Sequence, residues 1–495
     1  MSSCPAYQQL AHTFARLHRF SHLGAIAGWD QATMMPAKGN EARAAAQAEL
    51  GVLMHQIITD GQLKTLLASA EQEDLDEMQR ANLGEMQREW RMANTLPASL
   101  VEAKTLAAAR CEHAWRGQRA ANDWQGFLVN FREVVRLARE EGRLLGALNG
   151  LSVYDAQMDK YEPGMQSARV EAIFGEVKTW LPGLIARVRD KQAGETVVQP
   201  QGPFATDKQR ALGVAVMQLL GFDFEAGRLD VSLHPFCGGV PEDVRITTRY
   251  REDDFVQSLM GIVHETGHAR YEQNLPQAWL AQPVGRARSM GIHESQSLSF
   301  EMQLGRSRGF LQLITPLIRQ QFGEQPAFSA DNLARLYTRV NPGLIRVDAD
   351  ELCYPAHVIL RFEIERDLMN GEIEPEDVPA LWDEKMQAYL GLDTRGNYKD
   401  GCLQDIHWTD SFGYFPSYTL GAMCAAQYFA CLRRQHPDLD QQIAAGNLQL
   451  VFDWLKQHIW QQGSRWSTEQ LLQHATGETL NPRHYRAHLE ARYLA

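Results

Sequence analysis

The chain has 495 residues, of which 44% are hydrophobic and 22% charged, and its formal net charge is −12 at pH 7. These proportions are typical of a folded globular protein and exclude a largely disordered one. The acidic balance argues against a general nucleic-acid binder, because neutralising phosphates requires a basic surface.

The start of the chain and its cysteines bear on cellular location. The first residues, Met1-Ser2-Ser3-Cys4-Pro5, lack the basic and apolar regions of a secretory signal, and no apolar run reaches the roughly 20 residues of a membrane helix. Seven cysteines are scattered without a CxxC pair, a pattern typical of thiols in a reducing compartment. We therefore expect a cytoplasmic protein without structural disulfides.

The first half of the chain is predicted to be a succession of amphipathic helices. Val170, Ile173, Phe174 and Val177, for example, recur at the spacing of three and four that places them on one helix face. Glycines and prolines in 194–203 predict a loop. We expect one domain over 1–495, with a helical subdomain over 1–193 and a metal-bearing part over 204–495.

Strand signals are confined to a short region after this loop. Leu229 to Leu233 and Val244 to Tyr250 are β-branched or alternate in polarity, and Gly238-Gly239 between them is predicted to form a turn. The chain as a whole is therefore predicted to be mostly α-helical, with a small β-sheet before the next helix.

That helix contains the sequence HETGH at 264–268. Asp253 or Asp254 can cap its start, and four residues of α-helix bring His264 and His268 to one face, where they can share a metal ion. Glu265 lies beside the first imidazole and is a candidate general base and acid. The pentapeptide alone also fits a pair of core histidines, so a third ligand is needed.

Glu294, in the sequence HESQS at 293–297, is the candidate third ligand. Two histidines and one carboxylate leave the fourth position of a catalytic zinc open. The segment continues with Leu298, Phe300 and Met302 and is predicted to be a second helix that packs on the first. His293 either contacts substrate or supports the metal ligands.

Four further motifs occur in the chain, namely HPF at 234–236, DVRIT at 243–247, IRVDADE at 345–351 and GCLQDIHW at 401–408. Together with HETGH and HESQS, and in the same order along the chain, they resemble the motifs of the carboxypeptidase Taq family, peptidase family M32. The resemblance implies a fold similar to that of neurolysin and angiotensin-converting enzyme, with a long cleft. It also implies zinc, with cobalt as a substitute, peptide substrates, a homodimer, and removal of single C-terminal residues with broad preference but poor action on proline.

The resemblance further suggests how substrate is bound. It points to Arg346, whose guanidinium suits a terminal carboxylate, as the closed end of the groove together with GCLQDIHW. Asp350, Glu351, Asp405 and His407 are expected chiefly to support that wall, although His407 is also a candidate substrate contact. Related helical metallopeptidases stabilise the oxyanion with a tyrosine, for which Tyr418 or Tyr414 is the candidate.

Two candidates lie near the predicted sheet. His234 of HPF and Arg245 of DVRIT are candidate substrate contacts, but Asp243 and Arg245 alternate on a strand and therefore share a face. A structural ion pair between them is an equally good interpretation.

Two other classes of function remain open. An endopeptidase or aminopeptidase would share the metal site but lack the wall for a terminal carboxylate. A non-enzymatic helical protein with a structural metal is disfavoured, because structural zinc sites normally close with four protein ligands.

Overall fold

Helices make up most of the chain in the computed structural model, which describes residues 4–232 and 234–494. The mostly helical fold with a small sheet is therefore confirmed. The helices are α1 (Pro5–Thr33), α2 (Asn40–Ile58), α3 (Gly61–Ala70), α4 (Glu77–Thr95), α5 (Ala98–Ala120), α6 (Trp124–Asn149), α7 (Val153–Met158), α8 (Ser167–Gln192), α9 (Thr206–Leu219), α10 (Val256–Glu272), α11 (Met290–Leu298), α12 (Arg308–Phe322), α13 (Ala330–Tyr337), α14 (Tyr354–Asn370), α15 (Val378–Leu390), α16 (Pro416–Gln435), α17 (Leu439–Ala444), α18 (Gln449–His458), α19 (Thr468–Thr476) and α20 (Pro482–Leu494).

Apolar stripes build the core as their spacing predicts. Val170, Ile173, Phe174 and Val177 are all buried on α8. The largest core joins side chains from Leu100 to Tyr493, and a smaller one gathers residues of the N-terminal helices α1, α3 and α4. Among the described helices, none combines the length and apolar character needed to cross a membrane.

The predicted loop at 194–203 lies between α8 and α9, where the structure has neither helix nor strand. The largest core contains residues from both sides of this loop. A division of the chain into subdomains at this point stays a prediction.

The sheet has three strands, β1 (Gly227–Val231), β2 (Cys237–Val240) and β3 (Asp243–Thr248), in the order β1-β3-β2. β1 runs parallel to β3, and β2 runs antiparallel to it. The two predicted strands are thus present, with shifted ends, and the last residue predicted for the first one, Leu233, lies outside the described residues.

The predicted turn at Gly238-Gly239 is wrong, because both glycines lie in β2 and the turn falls at 241–242. Gly239 has a φ of +92°, and a Cβ there would lie 2.0 Å from the carbonyl oxygen of Asp243. Glycine is therefore needed at this position for the close approach of two strands.

Candidate metal centre and active site

The HETGH sequence lies on α10, which begins at Val256. The carboxylate of Asp254 accepts a hydrogen bond of 2.7 Å from the Val256 backbone N–H, so one of the two predicted capping residues does hold the helix start. Leu259 and Val263 of the same helix are buried in the core. The rings of His264 and His268 are consequently held one turn apart, with centroids separated by 5.0 Å.

Gly267 allows α10 to lie directly against α11. A Cβ at this position would be 2.5 Å from the carbonyl oxygen of Gln296 and 2.6 Å from the Cα of Ser297. Backbone atoms cannot move aside as a flexible side chain can, so only glycine fits here. On α11, whose start is capped by the Ser289 hydroxyl, this contact faces the turn that carries Glu294.

His264, His268 and Glu294 could together hold a metal ion, because their ligand atoms all lie within 4.8 Å of one another, and we call these three residues the metal-ligand cluster. Glu294 Oε2 is 3.5 Å from His268 Nε2 and 4.0 Å from His264 Nε2. Ligands of a tetrahedral zinc with bonds of about 2.0–2.1 Å lie roughly 3.3 Å apart, so the donor set and its spacing fit such an ion.

The charges around the cluster also favour a cation. Burial would lower the pKa of His264, but the carboxylates of Glu294 and Glu301 outweigh it and raise that pKa to about 10. Burial would likewise raise the pKa of Glu294, but the two histidines hold it below its ordinary value. Positive charge is therefore stabilised at His264, whereas burial lowers the pKa of His268 to about 4 and leaves that imidazole neutral.

Outer partners fix the orientation of both imidazoles. His264 Nδ1 lies 2.9 Å from Glu301 Oε2, and His268 Nδ1 lies 2.6 Å from His293 Nδ1. His293 Nε2 in turn lies 2.7 Å from Glu272 Oε1. With each Nδ1 occupied, each Nε2 is turned towards Glu294, as metal-binding histidines require.

Sequence reasoning missed Glu301 and Glu272. Glu272 follows His268 by four residues on α10, so helical spacing was the available signal for this residue. The predicted second helix ends at Leu298 and continues as a π-helix over Ser299–Gly305, which contains Glu301. Single π-turns are frequent at functional sites.

Glu265 is the acidic residue next to the cluster, and it is 7% exposed. Burial, only partly opposed by the charge of His264, raises the pKa of its carboxyl group to about 7. A carboxyl group with a pKa in this range can both accept and donate a proton at neutral pH.

Two tyrosines come close to the same region. Gly421 on α16 lets that helix approach Glu294, since a Cβ there would be 2.8 Å from the Glu294 Cβ. The Tyr418 and Tyr414 rings are 5.1 Å apart, and the Tyr418 hydroxyl lies 3.3 Å from His407 Nε2. Burial raises the pKa of both phenols, and the negative charge of Glu294 raises it further.

The Arg346 wall, which we define as Arg346, Asp405, Tyr354 and His407, joins the two downstream motifs. Arg346 is 5% exposed; its Nε and Nη2 donate to Asp405 Oδ1 at 3.0 and 2.7 Å, and its Nη1 donates to the Tyr354 hydroxyl at 2.7 Å. The guanidinium also lies 5.2 Å from the Tyr418 ring centroid, which connects the wall to the tyrosines. Burial lowers the pKa of His407 to about 4, so its ring is neutral at pH 7.

Asp350 and Glu351 of IRVDADE stabilise their surroundings. Asp350 Oδ1 accepts from the backbone N–H of Leu352 and Cys353. Glu351 accepts from His488, Arg492 and the Tyr493 hydroxyl at 2.7 to 3.1 Å. The second carboxylate thus anchors the C-terminal helix α20.

The candidates near the sheet make local contacts. Arg245 donates to both carboxylate oxygens of Asp243 at 2.9 and 2.7 Å and lies 4.5 Å from the Trp29 ring centroid. His234 is exposed, and its carbonyl accepts from the Ser232 hydroxyl. The structure does not bring either side chain into hydrogen-bond contact with the metal-ligand cluster.

Known proteins resemble this chain over nearly its whole length. The family model described as carboxypeptidase Taq (M32) metallopeptidase matches residues 9–493. Thermostable carboxypeptidase 1 of Thermus thermophilus is 38% identical over 99% of this chain and 98% of its own length. Carboxypeptidase 1 of Bacillus subtilis is 33% identical over 97% of this chain and 96% of its own.

A solved structure, Trypanosoma cruzi metallocarboxypeptidase 1, is 51% identical and superposes with a TM-score of 0.98 over 100% of both chains. The chain therefore belongs to the carboxypeptidase Taq (M32) family of metallopeptidases and is a metallocarboxypeptidase of the kind that uses a divalent metal ion.

Proposed function

We propose that this enzyme is a zinc carboxypeptidase that releases single residues from peptide C-termini, with broad preference and poor action on C-terminal proline. The observation that carries the proposal is that one helix residue connects two buried sites of different chemistry. The metal-ligand cluster and the Arg346 wall are bridged by Tyr418, whose ring packs on Arg346 and whose helix packs on Glu294.

His264, His268 and Glu294 are the proposed ligands. Two imidazoles and a carboxylate suit zinc, and they would also accept cobalt. When bound, the metal polarises the scissile carbonyl and lowers the pKa of the attacking water. Glu301 and His293 hold the two imidazoles through Nδ1, so the ligands are oriented before an ion arrives.

Glu265 is the proposed general base and acid. Its carboxylate takes the proton from the water that attacks the scissile carbonyl and returns it to the amine that leaves. The raised pKa of this group, at about 7, supports both halves of the transfer.

Tyr418 is the proposed donor to the oxyanion, with Tyr414 as the alternative. The contact between the Tyr418 hydroxyl and His407 favours Tyr418, because a neutral His407 with its proton on Nε2 can donate to the phenol oxygen and leave the phenol proton for the oxyanion. Both phenols stay protonated at neutral pH, since burial raises the pKa of each.

Arg346 is the proposed partner of the substrate carboxylate. A guanidinium has five N–H donors, of which the observed hydrogen bonds to Asp405 and Tyr354 use three. Two donors remain for a carboxylate, with neutral His407 beside them. Substrate contacts by His234 and Arg245 stay predictions, and for His293 the contact with His268 favours a supporting role.

Cleavage of a peptide with free and blocked ends tests the proposal. We expect the zinc-loaded enzyme to shorten an N-acetylated peptide one residue at a time from its C-terminus, and to cleave the C-terminally amidated form at least tenfold more slowly. Arg346→Ala should lower kcat/KM for the free acid roughly 10- to 150-fold, since a hydrogen bond to a charged group contributes about 1.5–3 kcal/mol. It should also reduce the difference between acid and amide.

Arg395→Ala is the matched control, because the Arg395 side chain is 79% exposed and pairs only with Asp393 among the described residues. Equal cleavage of acid and amide by the unmodified enzyme would refute this mode of recognition and favour an endopeptidase.

We also propose a cytoplasmic homodimer, on the strength of the family resemblance. Sedimentation of the metal-loaded enzyme as a single monomeric species at micromolar concentration would refute the dimer.

A further inference from the structure

A cavity of about 450 Å³ lies apart from the metal-ligand cluster. Its walls come from α4, the C-terminal end of α6, the segment 156–164, Arg288 and the segment 464–467. His264, His268, Glu294 and Arg346 are not among its lining residues. These residues of the proposed mechanism therefore lie outside this space, whose volume is in the range of sites for small molecules.

The cavity walls are rich in cations, although the chain carries a net charge of −12. Five lining residues are basic and two are acidic, namely Arg88, Arg91, Lys160, Arg288 and Arg465 against Glu85 and Asp159. Two carboxylates outside the lining, Glu141 and Glu77, pair with Lys160 and Arg465. One positive charge remains after these pairs are counted.

That charge belongs to Arg91. Within the described part of the chain its guanidinium has no acidic partner, and Nε donates only to the Gln87 carbonyl at 3.3 Å. Arg88, by contrast, pairs with Asp159, and Arg288 pairs with Glu85. Arg91 is therefore the lining cation most available to an anion.

Two other lining arginines keep buried donors without acceptors. The Nε atoms of Arg288 and Arg465 are both buried and make no hydrogen bond to the described residues. Arg288, which is 8% exposed, is fixed by hydrogen bonds from Nη1 to Glu85, Ser464 and Trp466. Buried donors are normally satisfied, so these two arginines are polar groups of the cavity wall that the described residues leave partly unsatisfied.

Most of the other lining residues are apolar and favour a ligand with a hydrocarbon body. Leu145, Leu148 and Leu151 come from the end of α6 and the residues after it, and Met92 faces the cavity from α4. An inorganic anion would leave these side chains without contact, whereas a hydrocarbon group would bury them. We propose that the cavity binds a small organic carboxylate with an aliphatic body, its carboxylate near Arg91 and Arg288 and its hydrocarbon part against the leucines.

Calorimetric titration of the metal-loaded enzyme with 4-methylpentanoate tests this site. We expect saturable binding that contains a component weakened at least tenfold by Arg91→Ala. Ala81→Phe, which places a ring in the cavity from α4, should weaken the same component. A carboxylate held in the catalytic groove would be unaffected by either change, so the lost component belongs to the cavity.

Arg395→Ala should leave both components intact, and 4-methylpentanamide and inorganic phosphate should each bind the cavity at least tenfold more weakly than the carboxylate. Unchanged binding in both Arg91→Ala and Ala81→Phe would overturn the site. Equal binding of the amide or of phosphate would overturn the proposed ligand class.

Discussion

The metal-ligand cluster and the Arg346 wall are both buried and charged, but their polar atoms are differently engaged. In the cluster, Glu294 Oε2 stays 3.5 and 4.0 Å from the two imidazole Nε2 atoms. In the wall, three donors of Arg346 are held at 2.7 to 3.0 Å by Asp405 and Tyr354. In the cluster, atoms that face one another beyond ordinary hydrogen-bond distance leave room for an ion. In the wall, side chains that are hydrogen-bonded to one another form a rigid surface.

The outer contacts of the two regions differ in the same way. Glu301 and His293 touch only the Nδ1 atoms of the histidines and leave the inner face free. Asp405 instead contacts the Arg346 guanidinium directly, at 2.7 Å. We infer that the cluster performs the chemistry and that the wall positions the end of the peptide, and the following changes test this division.

The largest effect is expected from Gly267→Ala. The new Cβ would meet Gln296 and Ser297 backbone atoms at 2.5 and 2.6 Å and would separate α10 from α11. Displacement of the imidazoles from Glu294 should lower metal content and reduce kcat/KM at least 1000-fold. Catalysis tolerates only displacements of the reacting groups that are much smaller than about 1 Å. Elemental analysis with a peptide assay measures both.

Gly261→Ala is the matched control on the same helix, because a Cβ at Gly261 meets no atom within 4 Å. Full metal content and activity in Gly267→Ala would contradict the described contact between the two helices.

A smaller effect, confined to substrate binding, is expected from Asp405→Asn. Loss of the carboxylate removes the anchor of Arg346, and a hydrogen bond between charged groups contributes about 1.5–3 kcal/mol. We expect kcat/KM to fall roughly 10- to 150-fold, mainly through a higher KM, with the metal content unchanged. A loss of metal in this variant would show that the wall and the cluster are not separate in function.

The smallest effect is expected from His293→Gln. The substitution removes the ring that links His268 to Glu272, and loss of such an outer partner typically lowers metal affinity 10- to 100-fold. Titration with a competing chelator should show weaker binding, while kcat with saturating zinc stays within about threefold of the unmodified enzyme. A large fall in kcat at saturating metal would instead indicate that His293 contacts substrate.

The cluster was more predictable from sequence than the wall, for a geometric reason. His264 and His268 are related by one helical turn, so their common face follows from local structure alone. Arg346 begins the short helical turn Arg346–Asp348, and Asp405 directly follows another one, Cys402–Gln404. Only the family resemblance predicted that the two residues belong to one site. No spacing rule predicts that the Asp405 carboxylate accepts hydrogen bonds from the Arg346 guanidinium.

Other differences also came from tertiary contacts. Two glycines between two predicted strands favour a turn, whereas the pairing of both glycines with β3 depends on a tertiary contact that the sequence does not show. Glu301 went unnoticed because it lies on a π-helix whose geometry no periodicity predicts. The helical stripes and the capping carboxylate of α10 were predictable because each depends on near neighbours in the chain.

The most direct test of the division is the metal content and turnover of Glu265→Gln, with peptide binding measured in parallel. Glutamine keeps the size of the side chain but cannot take the proton, so we expect turnover to fall at least 1000-fold while metal stoichiometry and affinity for the free-acid peptide stay within about threefold of the unmodified enzyme. Near-normal hydrolysis by the metal-replete variant would contradict the role of Glu265 and the assignment of the chemistry to this cluster.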